Sequence, residues 1–176
     1  MSGRARGGAR GETRAVVREM QPADLGEVRS LLSELAAHTT RGEAHRGEID
    51  AEGILAAMSR TPEFYSNWVA VEGARVVGFL SLVFYRTLFH PGGTALINEL
   101  VVAGDRRGRG IGRLLVARAA EEARARGMDE IEVGTERENA AAQSFYRAVG
   151  FDEEYVLLGR EFEAGPGGPG KEERRG

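Results

Sequence analysis

The segment from residue 96 to residue 146 decides the fold, and its centre, residues 106–113, reads RRGRGIGR. The preceding apolar run LINELVV at 96–102 predicts a β-strand, and the spacing of apolar residues over 110–126 predicts an amphipathic helix. Glycines let the main chain approach a ligand closely, and the first turn of a helix has unpaired N–H donors and a positive dipole end. The four arginines at 106, 107, 109 and 113 add positive charge. The segment therefore predicts a diphosphate site that needs no metal.

Two better-known glycine-rich phosphate loops do not fit this segment. A Walker loop requires Lys followed by Ser or Thr after its last glycine, but Arg113 and Leu114 stand there. A dinucleotide-binding GxGxxG loop that starts at Gly108 requires glycine at position 113, which is arginine. The pattern that remains is Arg-x-x-Gly-x-Gly at residues 107–112.

A second motif follows the predicted helix and a short predicted strand. Residues 139–151 read NAAAQSFYRAVGF and fill every fixed position of the pattern Asn-x-x-Ala-x-x-aromatic-Tyr-x-x-x-Gly-Phe. The two motifs, in this order and at this separation, resemble the signatures of the GCN5-related N-acetyltransferase (GNAT) superfamily. The resemblance covers about residues 15–162 and is specific over residues 96–151, where the two motifs lie.

The resemblance implies an α/β fold with a mixed (α+β) sheet, in which a strongly twisted central sheet has helices on both faces. Residues 15–162 are expected to form a single domain, and the arms at 1–14 and 163–176, which have little to bury, are expected to be disordered. The patterns predict strands over 15–20, 67–71, 75–85, 94–102, 130–135 and 152–162, and helices over 22–37, 51–60, 110–126 and 140–149. Strand 130–135 should be parallel to strand 94–102, because a helix connects them. The last strand should be short.

Composition narrows the classes of function. The chain has no cysteine, which excludes a thiolate metal site and a cysteine nucleophile. No apolar run is long enough to span a membrane and no secretory signal is evident, so a cytoplasmic location is expected. The formal net charge is −3; the arm 1–14 carries +3 and the tail 163–176 carries 0, which leaves −6 for residues 15–162. The negative charge of residues 15–162 would attract a cationic amine substrate, or it is simply a solvated acidic surface. A nucleic-acid partner is not expected.

Acetyl-CoA is the co-substrate that the resemblance implies. In the family, main-chain groups of the glycine-rich loop hold the pyrophosphate, and the pantetheine arm fills a gap between two neighbouring strands. Carried onto this sequence, the expected cofactor contacts are Leu100, Val101, Val102, Arg107, Gly108, Arg109, Gly110, Ile111, Gly112, Arg113, Asn139, Ala142 and Tyr146.

The candidates for catalysis are three side chains, Tyr146, Glu99 and Asn98, and one main-chain N–H group. By resemblance, Tyr146 protonates the departing thiolate, and a main-chain N–H near Val102 stabilises the oxyanion. The family's usual positions for a general base fall on Asn98 and Leu96, and neither is a base. Period-two alternation places Glu99 on the face opposite Asn98. This departure suggests that Glu99, through a twist or a bulge, or a water chain deprotonates the amine, while Asn98 orients the amine or a water. Alternatively Glu99 is an acceptor-binding or exposed carboxylate.

The acceptor site is the least defined part of the sequence. In the family it is walled by the first two helices and the loop between them, which makes His38, Glu43, His45 and Glu48 candidate contacts. Tyr85, Arg86 and His90 lie near the end of a central strand and are further candidates. No metal is expected from these histidines and carboxylates, because no third ligand stands at a fixed spacing.

The sequence as a whole predicts an N-acetyltransferase that moves acetyl from acetyl-CoA directly to a primary amine of a small molecule. Transfer to a protein N-terminus or lysine, and a coenzyme A-binding regulator without turnover, remain as alternatives. Homodimers are common in the family, so a homodimer is an expectation here as well.

Overall fold

A computed structural model describes residues 15–37 and 50–160, and these form one mixed sheet with helices on both faces. The strands are β1 (Val16–Glu19), β2 (Tyr65–Glu72), β3 (Arg75–Tyr85), β4 (Thr94–Val102) and β5 (Glu130–Val133). They lie side by side in chain order; every neighbouring pair is antiparallel except β4 and β5, which are parallel. The predicted mixed α/β architecture is confirmed.

Within the described residues, four helices connect and cover the strands: α1 (Leu25–Ala36), α2 (Ala51–Ser59), α3 (Ile111–Ala125) and α4 (Ala140–Arg147). Two of them begin with the predicted side-chain caps. The Asp50 carboxylate accepts a hydrogen bond from the N–H of Gly53 at 2.8 Å, and the Asn139 side-chain oxygen accepts one from the N–H of Ala142 at 3.0 Å. These caps occupy N–H groups that a helix start leaves without an intrahelical partner.

Two apolar clusters fill the space on either side of the sheet. The α3 cluster lies between the sheet and α3 and includes Leu80, Ile97 and Leu115. The α1 cluster lies on the opposite face and includes Val28, Phe79 and Val101. Strand β3 is buried between the two clusters, as its apolar sequence predicts.

The predicted strand over 152–162 is wrong for residues 152–160, which form no strand; residues 161 and 162 lie outside the described part. The apolar side chains of this segment are consecutive, at 155–158, and are 67–89% exposed. A strand with one buried face needs alternating apolar residues, which this segment lacks. Its neighbour β5 has only four residues to offer for pairing.

Several expectations fall outside the described residues. These are the disordered arms at 1–14 and 163–176 and the candidate acceptor contacts His38, Glu43, His45 and Glu48. Among the described helices, none is long and apolar enough to cross a membrane.

Candidate active site

A β-bulge in β4 determines which helix each side chain of this strand faces. Ser81 of β3 pairs with Glu99, whereas the next residue of β3 pairs with Ile97, so that Asn98 is an extra residue in β4. Before the bulge Ile97 packs in the α3 cluster, and after it Val101 packs in the α1 cluster. Because Glu99 is two residues from Val101, both lie on the face covered by α1.

The sequence predicts that side chains alternate between the two faces of the sheet along the whole of β4, and this prediction is wrong beyond Ile97. It placed Leu96 and Leu100 on one face and Glu99 on the other. In the structure Leu100 packs against the α3 cluster, whereas Leu96 alternates with buried Ile97 and shares the opposite face with Glu99. The bulge at Asn98 produces the rotation that turns Glu99 to the face covered by α1.

The Glu99 carboxylate is held by one donor on each oxygen. The hydroxyl of Ser81 donates to Oε2, and the side-chain amide of Asn98 donates to Oε1 at 2.6 Å. Ser81 is buried on the central strand, whereas Asn98 is exposed at the bulge. The side chain of Asn98 thus contacts Glu99, and Glu99 itself is half-buried.

The pairing of β4 with β5 ends beside the bulge, and the unpaired region beyond it is called the gap between the two strands. Their parallel pairing begins at Thr94 with Glu130 and ends at Ile97 with Val133. Strand β4 continues to Val102, and within the described residues this last part has a strand partner only on its β3 side. Its outer edge therefore presents main-chain N–H and C=O groups to a ligand that carries amides of its own, as pantetheine does.

The glycine-rich turn leads from this gap to the start of α3. Gly108 and Gly110 have φ angles of +73° and +87°, a left-handed conformation that favours glycine. No side chain caps the helix at Gly110, and the first turn contains no acidic residue. The N–H groups of Ile111, Gly112 and Arg113 precede the first intrahelical donor, Leu114, and are available to an anion.

Three arginines at this turn keep donors for a bound anion. Arg109 is exposed and makes no hydrogen bond or ion pair within the described part of the chain. Arg107 donates to the carbonyl of Val102 at 3.1 Å, and Arg113 donates to the carbonyl of Ala148 at 2.9 Å. An arginine has five N–H donors, so each retains most of its capacity. The amides, the left-handed turn and the positive charge together fit a diphosphate.

Arg106 does not share this role, contrary to the prediction that it adds charge to the site. Its guanidinium donates to Glu72 at 2.9 Å and to Asp105 at 2.8 Å. Both partners are carboxylates, so its charge is balanced within the protein. Arg106 ties the turn to the β2–β3 hairpin.

Gly112 lies at a close contact between two helices. A Cβ at this position would lie 3.1 Å from the ring of Phe145, which is closer than ordinary van der Waals contact. Glycine here lets α4 approach the start of α3, and the next residue of α4 is Tyr146. The glycine-rich turn therefore positions the predicted acid as well as the predicted phosphate site.

We expect Gly112→Ala to lower the free energy of unfolding by about 1–2 kcal/mol, because the methyl group displaces the Phe145 ring. Gly26→Ala on α1 is the matched control, since a Cβ there has nothing within 4 Å and alanine favours a helix. Chemical denaturation measures both variants. Equal effects of the two substitutions would contradict this packing role.

Tyr146 lies on α4 between two other aromatic rings. It makes edge contacts with Phe145 and Phe151, with ring centroids 5.2 and 5.5 Å away. Burial raises the pKa of Tyr146 to about 12. Its hydroxyl has no hydrogen-bond partner within the described residues, so the proton remains available to a ligand.

The raised pKa predicts that the Tyr146 phenol stays protonated through pH 10 in the folded protein. Because the folded-state pKa of about 12 exceeds the ordinary value of 10, the stability contributed by this group is complete below pH 10 and is lost as the pH rises towards 12. Phenolate absorbance measured against pH, as the difference between the unmodified protein and Tyr146→Phe, should have its midpoint near pH 12. A midpoint near 10 would show that the ring is solvated.

An acidic patch on the same face as Glu99 lies at the start of β4 and β5. The hydroxyl of Tyr85 donates to Glu132, and Glu130 accepts from Thr94 at 3.3 Å. His90 lies 3.5 Å from Glu130. These side chains line an open cavity of about 380 Å³. These two glutamates were not predicted as site residues from the sequence. The signal was present, because in β5 (EIEV) the glutamates alternate with Ile131 and Val133, which indicates one polar and one apolar face.

The remaining candidates have structural contacts. Arg86 donates to the carbonyls of Pro91 and Gly92 and so braces the β3–β4 loop. The Asn139 side-chain oxygen is used as the cap of α4. Tyr85 and His90 both line the open cavity beside Glu130 and Glu132.

Known proteins resemble this chain in both sequence and fold. A model of the acetyltransferase (GNAT) family matches residues 30–151. The aminoalkylphosphonate N-acetyltransferase of Salmonella typhimurium is 30% identical over 139 residues, covering 79% of this chain and 86% of that protein. An uncharacterised N-acetyltransferase of Methanocaldococcus jannaschii is 43% identical over 65 residues, covering 37% of this chain and 29% of that protein. The match thus spans less than a third of the archaeal relative.

A solved structure gives the same fold. The transcriptional regulator from Bacillus halodurans C-125 superposes with a TM-score of 0.73 at 24% identity, covering 85% of this chain and all of that one. At this identity the likeness shows the fold alone.

Fold and site together define the class of acyltransferases that use a coenzyme A thioester. The family match extends over more than half of the chain. The chain belongs to the acetyltransferase (GNAT) family, whose members are acetyl-CoA-dependent N-acetyltransferases.

Proposed function

We propose that this protein transfers the acetyl group of acetyl-CoA directly to a primary amine of a small cationic molecule, with Glu99 as general base and Tyr146 as general acid. The observation that carries the proposal is the bulge at Asn98, which puts Glu99 beside the gap between β4 and β5 and on the same face as Glu130 and Glu132. When bound, acetyl-CoA supplies the activated acetyl group.

A base is required because an alkyl amine has a pKa near 10.4, so that at neutral pH only about one molecule in 10³ is free amine. Glu99 accepts a proton from the bound ammonium group, and the free amine so formed attacks the carbonyl carbon with its lone pair. Each carboxylate oxygen already accepts one hydrogen bond and has a second lone pair to receive that proton.

The outer edge of β4 beyond Ile97 provides main-chain donors for the carbonyl oxygen, which gains charge during the attack. An N–H aimed at such an oxyanion contributes about 3 kcal/mol. The donor expected by resemblance, near Val102, lies in this unpaired part of the edge.

Tyr146 provides the proton for the thiol that leaves. Its pKa of about 12 exceeds the ordinary thiol value of ~8.5, so complete transfer to a free thiolate is uphill by about 5 kcal/mol. The proton must therefore move while the carbon–sulfur bond breaks.

The acceptor class follows from the acidic patch. The similar Salmonella protein is named for aminoalkylphosphonates, which carry a doubly charged anion beside the amine. Glu130 and Glu132 would repel a phosphonate and attract a second ammonium group. We therefore propose an acceptor with two or more amino groups.

Release of coenzyme A thiol from acetyl-CoA across a panel of amines tests this proposal. The panel contains alkyl diamines, an aminoalkylphosphonate, and peptides with a free N-terminus or an internal lysine. We expect turnover with diamines to exceed that with the phosphonate by roughly tenfold, and Glu132→Gln to remove the difference. Preference for a peptide or the phosphonate would contradict the acceptor class, and binding of coenzyme A without any turnover would favour a regulator.

A further inference from the structure

The hydroxyl of Ser81 is a buried polar group that the reaction described above does not yet use. From Val76 to Leu82 strand β3 is fully buried, and Ser81 is the one polar side chain in that stretch. It is only 2% exposed. A hydroxyl buried between two apolar clusters is unfavourable unless it is hydrogen-bonded, and its partner here is the carboxylate of Glu99.

The contact exists because of the bulge. Ser81 and Glu99 are directly opposite each other in the β3–β4 pairing, with Asn98 as the extra residue beside them. Without the extra residue, Ser81 would be opposite Asn98, and Glu99 would face α3. The same irregularity thus turns Glu99 towards the α1 face and brings its carboxylate to Ser81.

We propose that Ser81 is a positioning residue that fixes the Glu99 carboxylate for proton abstraction; this inference rests on the proposed function. A glutamate side chain has three rotatable bonds, and a single exposed partner such as Asn98 does not fix all of them. Ser81, anchored in the buried central strand, holds Oε2, while Asn98 holds Oε1. The amine proton passes to a carboxylate oxygen of Glu99, and Ser81 keeps its own proton throughout.

A role in strand pairing alone makes a different prediction. If Ser81 only stabilised the β3–β4 pair, its removal would affect folding and would change activity by the same factor whether or not residue 99 can accept a proton. A positioning role requires that the effect on kcat vanish once the carboxylate is gone.

The test is a double-mutant cycle of Ser81→Ala and Glu99→Gln, with kcat and both KM values measured for the full chain with acetyl-CoA and a diamine. We expect Ser81→Ala to lower kcat roughly tenfold, to leave KM for acetyl-CoA unchanged, and to have no further effect in the Glu99→Gln background. Ser81→Thr, which keeps the hydroxyl, should retain most of the activity. Ser66→Ala on β2 is the matched control, since that hydroxyl is hydrogen-bonded to Trp68 and lies outside the site.

The outcomes separate the two proposals. Equal losses of kcat from Ser81→Ala in both backgrounds, or full activity of Ser81→Ala beside an impaired Glu99→Gln, would overturn the role of Ser81 and leave the proposed function standing. No acetyl transfer by the unmodified protein would overturn both. Far-UV circular dichroism and thermal unfolding verify that each variant is folded.

Discussion

Replacement of Glu99 by Gln is expected to lower kcat/KM for the amine by about 10²- to 10³-fold at neutral pH, the usual contribution of a general base. Glutamine has the same shape and keeps an oxygen that accepts from Ser81 or Asn98. It cannot take a proton from the amine, so turnover would depend on the small fraction of free amine and on water. Steady-state assays with saturating acetyl-CoA measure this effect.

The binding of acetyl-CoA provides the internal control for this variant. KM for acetyl-CoA should change little, because the diphosphate is expected on the glycine-rich turn, whereas the Glu99 carboxylate is held by Ser81 and Asn98. Glu121→Gln on the exposed face of α3 is the matched substitution and should retain full activity. Retention of more than about a third of the activity by Glu99→Gln would exclude Glu99 as the base.

Tyr146→Phe is expected to lower kcat by about 10²-fold, with a smaller effect on KM for either substrate. The substitution removes the one hydroxyl in the cluster of Phe145, Tyr146 and Phe151 and keeps the ring contacts. The folded structure should therefore be unchanged, and only the proton for the leaving thiol is lost. A lower kcat with normal stability is the signature of this role.

An acetyl donor whose thiol is a better leaving group sharpens the second prediction. A thiol of lower pKa needs less protonation as it departs, so the loss caused by Tyr146→Phe should shrink with such an acetyl donor. Tyr65→Phe serves as the control, because Tyr65 begins β2, away from α4. If Tyr146→Phe loses the same factor in kcat with both acetyl donors, Tyr146 only lines the site and does not transfer the proton.

The parts of the fold that depend on local sequence were predictable. The turn before α3 needs glycine at φ angles that other residues avoid, and helix α4 begins at an Asn cap, so RRGRGIGR and NAAAQSFY mark their elements directly. The hairpin around Gly73 and the cap at Asp50 are local in the same sense. Each of these signals involves residues within a few positions of one another.

The orientation of Glu99 could not be read from local sequence. It depends on the pairing of β4 with β3, where Ser81 is opposite Glu99 and one residue of β4 is left over. Nothing in LINELVV itself marks Asn98 as that residue. The partnership of Arg106 with Glu72 and the close approach of Phe145 to Gly112 are likewise contacts between distant segments, and alternation or spacing carries no information about them.

A crystal structure of the protein with coenzyme A and a diamine tests the central claim most directly. We predict that the diphosphate lies on the N–H groups at residues 108–113, the arm runs along the unpaired edge of β4, and the sulfur lies within about 3.5 Å of the Tyr146 hydroxyl. One amino group should lie within hydrogen-bond distance of Glu99, directly or through one water. A sulfur remote from Tyr146, or an amine on the α3 side of β4 with Glu99 facing away from it, would contradict the account.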